Sequence, residues 1–255
     1  MLSSWRLLPA LFLLTGLTNA QEPARPAPGK PVSPAAASDF TELATSVTHH
    51  AIDLPSGRLS YTATAGQIPL RNDQNEVECR MFYAAYTKDN ADDRNRPVTF
   101  AFNGGPGSAT MWLHMGTLGP RRAPFNDDGS IPKAPFDTVD NHETWLDFTD
   151  VVCVDAPATG YSRLTKPDYG PKYFGITQDI AAFTEFVRGW LKQHHRYRSP
   201  IFIAGESYGG IRGSGLSASL FRAGIMVSGF VSISGTNSYL TLDGMRGNDA
   251  TYVGF

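Results

Sequence analysis

Residues Gly205-Glu206-Ser207-Tyr208-Gly209 set a serine between two glycines at the spacing G-x-S-x-G. A serine on a tight strand-to-helix turn has a strained backbone, and the residues two before and two after it must be small for the chain to double back. The neighbours suit such a turn. Ile201–Ala204 is a short apolar run, and residues 211–224 can supply the helix that follows. The N-terminus of that helix would aim backbone N–H groups at the serine, where negative charge develops during acyl transfer. Ser207 is therefore the candidate nucleophile; the competing reading is a glycine-rich surface turn with an idle serine.

Stabilising an oxyanion also takes an N–H from another loop. Asn103-Gly104-Gly105-Pro106-Gly107-Ser108 follows the apolar run PVTFAF, and glycines let backbone amides approach a ligand with no Cβ in the way. Alone, this loop would be read as a Gly-Pro turn that changes chain direction. Two glycine loops, each ending a strand and one carrying a serine, point instead to a convergent site.

The elements that must position these loops are legible as apolar runs at 77–88, 97–102, 151–157, 201–205 and 229–235. Several are continuous, as expected of strands covered on both faces. Between two of them, Ile180, Phe183, Phe186, Val187, Trp190 and Leu191 recur at steps of three and four, which predicts an amphipathic helix. Asp179 near its start and Arg196 near its end would complement the helix dipole, with His194 and His195 in a dipole or solvent role. Upstream, Pro55-Ser56-Gly57 separates two alternating segments and predicts a hairpin. His49 and His50 are adjacent on its first arm, point to opposite faces and are read as surface residues rather than a metal pair. The order of elements predicts an α/β fold, with a mostly parallel sheet carrying helices on both faces.

Bulk properties narrow the function classes. Lys and Arg total 22 against 24 Asp and Glu, so no charge imbalance calls for a nucleic acid or an anionic membrane surface. Residues 1–20 combine Arg6, an apolar run from Leu7 to Leu17 and the small-residue ending Thr18-Asn19-Ala20, the pattern of a secretory signal peptide. Export to a periplasm or the extracellular space is expected, with no stable membrane span after cleavage; an uncleaved anchor is the alternative. Residues 21–45, rich in Pro and Ala, read as a disordered lead-in to a domain spanning 46–255. Export would permit a disulfide between Cys79 and Cys153, although buried free thiols are favoured because Cys153 sits in an apolar run. No metal or organic cofactor is indicated, and covalent serine chemistry requires neither.

NGGPGSATMWLHMGTLGPRRAP, VVCVDAPATGYS and IFIAGESYGG, in that order, resemble the serine carboxypeptidase family of α/β-hydrolases over about Glu78 to Gly235. The resemblance implies an acyl-enzyme on Ser207, an oxyanion hole from the N–H groups of Gly105 and Tyr208, and a substrate α-carboxylate held by Asn103, Gly104 and Glu206. A carboxylate facing Glu206 is tolerated only if one of the two holds a proton, which implies a preference for mildly acidic pH. The chain departs from the family at two places. Thr117 stands where relatives commonly carry a second acidic residue, and Ala101 where many have tryptophan. Arg121 and Arg122 could supply positive charge to a substrate, although surface arginines are commoner.

In α/β-hydrolases the triad runs Ser, then Asp or Glu, then His. Here all six histidines, at 49, 50, 114, 142, 194 and 195, precede Ser207. His114 lies close to the glycine loop in sequence but would also need a third group to orient it as a base. The expectation is the N-terminal part of a secreted serine carboxypeptidase, acting on a peptide or small acyl substrate. It stops before the triad Asp and His, leaves the sheet incomplete at its C-terminal end, and is inactive as 255 residues. An esterase, acyltransferase or aminopeptidase of the same fold is one alternative. A non-catalytic exported binding module is the other.

Overall fold

The structure, a computed structural model, describes residues 43–135 and 137–236. The signal segment 1–20, nearly all of the 21–45 lead-in, and Asp243 and Asp249 near the C-terminus lie outside the described residues.

The chain opens with the predicted hairpin, β1 (Ser46–Leu54) and β2 (Gly57–Arg71), paired antiparallel from Ser46↔Ala65 to Leu54↔Gly57. Gly57 takes φ +123°, a conformation open to glycine alone, and so closes the tight turn. β3 (Val77–Lys88) pairs antiparallel with β2, and β4 (Val98–Phe102) follows with all five residues buried. The connection after β4 carries the short helix α1 (Met111–Leu113), a π-type turn over His114–Leu118, and a small ribbon of β5 (Arg121–Arg122) with β6 (Val139–Asp140). Then come β7 (Asp150–Val154), β8 (Arg163–Leu164), α2 (Ile176–Gln193), β9 (Ile201–Glu206), α3 (Gly209–Arg222) and β10 (Val227–Ile233).

The main sheet has the order β1-β2-β3-β7-β4-β9-β10, with β8 on β3. It is mixed. The β7-β4-β9-β10 half is parallel, with β4 and β7 buried throughout, β9 mostly buried and β10 partly exposed; the β1-β2-β3-β7 half is antiparallel.

Strand order explains which face each connection covers. From β4 the chain moves one way along the sheet to β7, then back past β4 to β9, and onward to β10. Right-handed crossovers running in opposite directions lie on opposite faces. Accordingly, α2 and α3 share one face. Phe183, Phe186, Val187, Trp190 and Leu191 of α2, with Leu216 and Leu220 of α3, pack there against Phe100, Phe102, Val152 and Ile203. The other face is covered by the β4–β7 connection, where Leu113, Leu118 and Trp145 pack on Ala101, Val151, Cys153 and Ala204. Helical cover there is limited, among the described residues, to α1 and short turns. Burying each large side chain contributes about 1.5–3 kcal/mol, so the α2 stripe is a principal stabiliser of the parallel half.

Two sequence expectations for α2 are corrected. Asp179 lies in the first turn of α2, as expected, but is buried in an ion pair with Arg212, and Arg196 lies beyond the helix end, buried against Asp150. His194 is not a solvent residue either. It stacks on Trp190 at 4.3 Å between ring centroids and shares a hydrogen bond with Tyr83 Oη. Burial pushes its pKa down, helped by Arg196 and His195. His49 and His50 are exposed, as expected. Cys79 and Cys153 are buried free thiols.

Candidate active site

β4 and β9 are parallel neighbours, in register up to Phe102↔Gly205. The loops leaving their C-terminal ends therefore emerge side by side, at the point where the chain reverses its direction along the sheet. Ligands of open α/β sheets bind in the crevice at such a switch point. The fold thus brings Asn103–Ser108 and Gly205–Gly209 together, from segments about a hundred residues apart in sequence.

Ser207 sits at φ +57°. That conformation costs a non-glycine residue roughly 1–2 kcal/mol and persists only when its surroundings impose it. Three hydrogen bonds do so: Ser207 N donates to Ile233 O, while Gly210 N and Thr236 N donate to Ser207 O. Small neighbours make the turn possible. A β-carbon on Gly205 would lie 2.3 Å from Gly209 O, and one on Gly210 would lie 2.5 Å from Thr236 O. The result is a strand–turn–helix elbow at Ser207, with α3 starting at Gly209.

Glu206 and Asn103 form the polar centre beside it. Asn103 Oδ1 accepts from Leu113 N at 3.0 Å, so the other end of its amide turns to Glu206, and Nδ2 donates to Glu206 Oε2 at 3.0 Å. Gly104 N donates to the same oxygen at 3.4 Å. Asn103 is 2% exposed, which fixes this geometry before any ligand arrives. Gly105 takes φ +108°, and its N–H donates to no described residue. Ser207 Oγ likewise has no hydrogen-bond partner among the described residues. A cavity of about 330 Å³ opens beside Tyr208 and Pro106, with a largely apolar wall that includes Ala156, Pro157, Phe174 and Ile176.

Two residues that support the site, Asp155 and Arg212, escaped sequence reasoning, and the sequence marks a third, Asp179, only as a dipole partner. Asp155, at the end of β7, accepts from Thr110 N at 2.8 Å and Tyr161 N at 3.0 Å, and so ties the end of the glycine loop to the loop after β7. Burial raises its pKa despite those two amides. Arg212, fully buried, and Asp179 form the second support. The available signal was an arginine in the first turn of the helix after the serine, where the dipole disfavours a cation.

Other sequence candidates lie apart from the elbow. Arg121 pairs with Asp140 across the β5–β6 ribbon, and Arg122 donates to Ala123 O, so both have partners within the chain. Thr117 donates its hydroxyl to Leu113 O at 3.1 Å, a local bond to its own turn. His114 is engaged elsewhere: its Nε2 lies 2.6 Å from Tyr86 Oη, and burial pushes its pKa down to about 4. No cluster that could hold a metal ion occurs among the described residues, and no described helix is long and apolar enough to cross a membrane.

The sequence model of the serine carboxypeptidase family matches residues 56–224, an interval that takes in both glycine loops and Ser207. Serine carboxypeptidase-like 8 of Arabidopsis thaliana is 26% identical over 160 residues, covering 61% of this chain and 34% of its own length. The pheromone-processing carboxypeptidase kex1 of Aspergillus niger is 27% identical over 211 residues, covering 82% of this chain and 28% of its own length. The chain thus spans about a third or less of these curated relatives. Among solved structures, the prohormone-processing carboxypeptidase Kex1(delta)p of Saccharomyces cerevisiae superposes with a TM-score of 0.57 at 23% identity, over 69% of this chain and 39% of that one, and shares its α/β-hydrolase fold. With the family model covering most of the domain that holds the elbow, the chain belongs to the serine carboxypeptidase family.

Proposed function

We propose that this chain carries the nucleophile-bearing part of an exported serine carboxypeptidase. Ser207 attacks the carbonyl of the last peptide bond and forms the acyl-enzyme, while the N–H groups of Gly105 and Tyr208 take the developing oxyanion. Asn103, Gly104 and Glu206 receive the α-carboxylate of the residue that leaves. The observation that carries this assignment is the convergence of Asn103 Nδ2 and Gly104 N on Glu206 Oε2 beside the Ser207 elbow. Two donors and a carboxyl, already aligned, can receive a second carboxyl group when the two carboxyls share a proton.

The base belongs, in this proposal, to sequence beyond these 255 residues. All six histidines precede Ser207, and the one nearest the glycine loop in sequence is tied to Tyr86. Export rests on the signal-peptide pattern of residues 1–20.

The test uses the protein as its source produces it. An N-blocked dipeptide with a free C-terminus is compared with the same dipeptide amide, and Ser207→Ala serves as the control. Cleavage of the free acid, much reduced on the amide and abolished by the substitution, is the expected result. Equal cleavage of the two would transfer the assignment to an esterase, acyltransferase or aminopeptidase. No turnover, with no labelling of Ser207 by a fluorophosphonate, would leave a binding module.

A further inference from the structure

Arg212 is 0% exposed, yet it lies in the first turn of α3, five residues after Ser207. That is the end of a helix where a cation is least favoured. A buried charge there needs full compensation, and the contacts show what provides it. Nε donates to Asp179 Oδ2 at 2.8 Å and Nη2 to Asp179 Oδ1 at 3.1 Å, a two-pronged pairing with α2. The remaining donors face the glycine loop, with Nη1 reaching Asn103 O at 2.7 Å and Nη2 reaching Pro106 O at 3.1 Å. The guanidinium also packs over Phe183, 4.4 Å from the ring centroid, and near Tyr208 and Phe102 at 5.1 and 5.2 Å.

Fold stability alone does not call for this arrangement. A well-packed apolar pair of similar volume usually replaces a buried ion pair with no loss. What an apolar pair could not do is hold two carbonyls of the glycine loop. Gly104 O is held separately, by Ser108 N at 3.1 Å. With the carbonyls of Asn103, Gly104 and Pro106 all engaged, the orientation of the intervening peptide groups is fixed. The Asn103–Gly104 peptide is gripped at both ends: its oxygen takes the guanidinium, and its N–H donates to Glu206. A charged donor on the oxygen polarises that peptide and strengthens its N–H as a donor.

We infer that Arg212, braced by Asp179, is a positioning residue. It orients the Asn103–Pro106 loop so that the Gly104 and Gly105 N–H groups face the substrate side of the Ser207 elbow. It touches no substrate and acts only through the loop. The inference rests on the Ser207 site proposed above, so its test needs a readout that does not depend on turnover.

Arg212→Met alone would strand the Asp179 charge, so the informative protein is the double variant Arg212→Met/Asp179→Leu, which removes the pair together. Arg212→Lys is the second variant; it keeps the charge but lacks the fork that spans Asp179 and two carbonyls. Urea unfolding, amide hydrogen exchange at Gly104 and Ser108, whose N–H groups are bonded in the loop, and kcat and KM on an N-blocked dipeptide are measured on the protein as its source produces it. The double variant is expected to stay folded with a lowered midpoint, because the Asn103 and Pro106 carbonyls lose their donor. It should exchange these two amides at least about tenfold faster than that shift accounts for, and lose about 10- to 100-fold in kcat, as misplaced oxyanion donors do. Arg212→Lys should fall between it and the wild type. Wild-type exchange at Gly104 and Ser108 in both variants would overturn the inference. If the wild type turns over neither acid nor ester, the assignment of the site fails, while the exchange comparison still decides the role of Arg212.

Discussion

A β-carbon on Gly104 would fall 2.5 Å from the backbone nitrogen of Tyr208, so the glycine loop and the serine elbow touch backbone to backbone. The same atom would lie 2.6 Å from Glu206 O. Neither neighbour is a side chain that could swing aside. Gly104→Ala should therefore force the two loops apart and cost about 1–3 kcal/mol, the usual range for overpacking. Gly107, two residues from the positive-φ Gly105, has nothing within 4 Å of the corresponding position. Gly107→Ala is expected to stay within about 0.5 kcal/mol of wild type. Urea unfolding of the two variants side by side makes the comparison, and equal midpoints would mean that the loops are not packed in this way.

Glu206 takes two donors on one oxygen, from Asn103 and Gly104. A glutamine in its place can still accept from both, so Glu206→Gln should preserve stability while removing the acid from the carboxyl receptor. The preference for a free C-terminus over its amide is expected to fall about tenfold, near the value of one charge-assisted hydrogen bond. The ratio of kcat/KM for the two substrates measures it. An unchanged ratio would show that Glu206 plays no part in recognising the carboxylate.

The two cysteines provide a direct check on the core. Cys79 lies on β3 and Cys153 on β7, and the register pairs Cys153 with Ala84 rather than with Cys79. Burial pushes the Cys79 thiol up to about 12, and raises Cys153 further with a contribution from the nearby Asp155 charge. Thiols held protonated and out of solvent do not react. In the native protein Cys79 and Cys153 should not react with a disulfide reagent at neutral pH, and both should be labelled after unfolding without reductant. Failure of both to label on unfolding would reveal a disulfide.

Much of this architecture could be read from local pattern. The five apolar runs became β3, β4, β7, β9 and β10; burial is continuous in β4 and β7, whereas β10 has no fully buried residue although its run is apolar. The elbow was legible because its steric demands fall within five consecutive residues. What could not be read was pairing across the chain. Asp179 and Arg196 sit where a helix dipole would welcome them, and only the folded chain shows each buried against a partner 33 and 46 residues away. The mixed character of the sheet escaped for a similar reason: β3 carries near-continuous burial although its neighbours run antiparallel to it. Asp155 has no role in the sequence reading, because its grip on two loops depends on backbone amides that carry no sequence signature.

His114 makes acid stability a test of the face opposite α2. Its Nε2 is held by Tyr86 Oη at 2.6 Å, Tyr86 in turn packs edge-on to Tyr61, and burial lowers the imidazole from its usual 6.5 to about 4. Between those values the unfolded chain binds the proton and the folded chain does not, so stability falls as pH drops through that window. The full shift corresponds to about 3 kcal/mol, less what partial solvation of the ring recovers. His194, also lowered, adds to the loss with the same sign. Asp155, raised by burial, opposes it, because the folded state takes up that proton first. Glu78, lowered chiefly by its bond to Lys172, adds to the loss as pH falls through the ordinary carboxylate range and below it. Comparing urea midpoints at pH 7.0 and 4.8 in the wild type and in His114→Gln cancels these other groups and isolates His114. The wild type should lose stability between the two pH values, and His114→Gln, which can keep the bond to Tyr86 but cannot titrate, should lose about 1–2 kcal/mol less. An identical loss in the variant would show that His114 is solvated rather than buried against Tyr86.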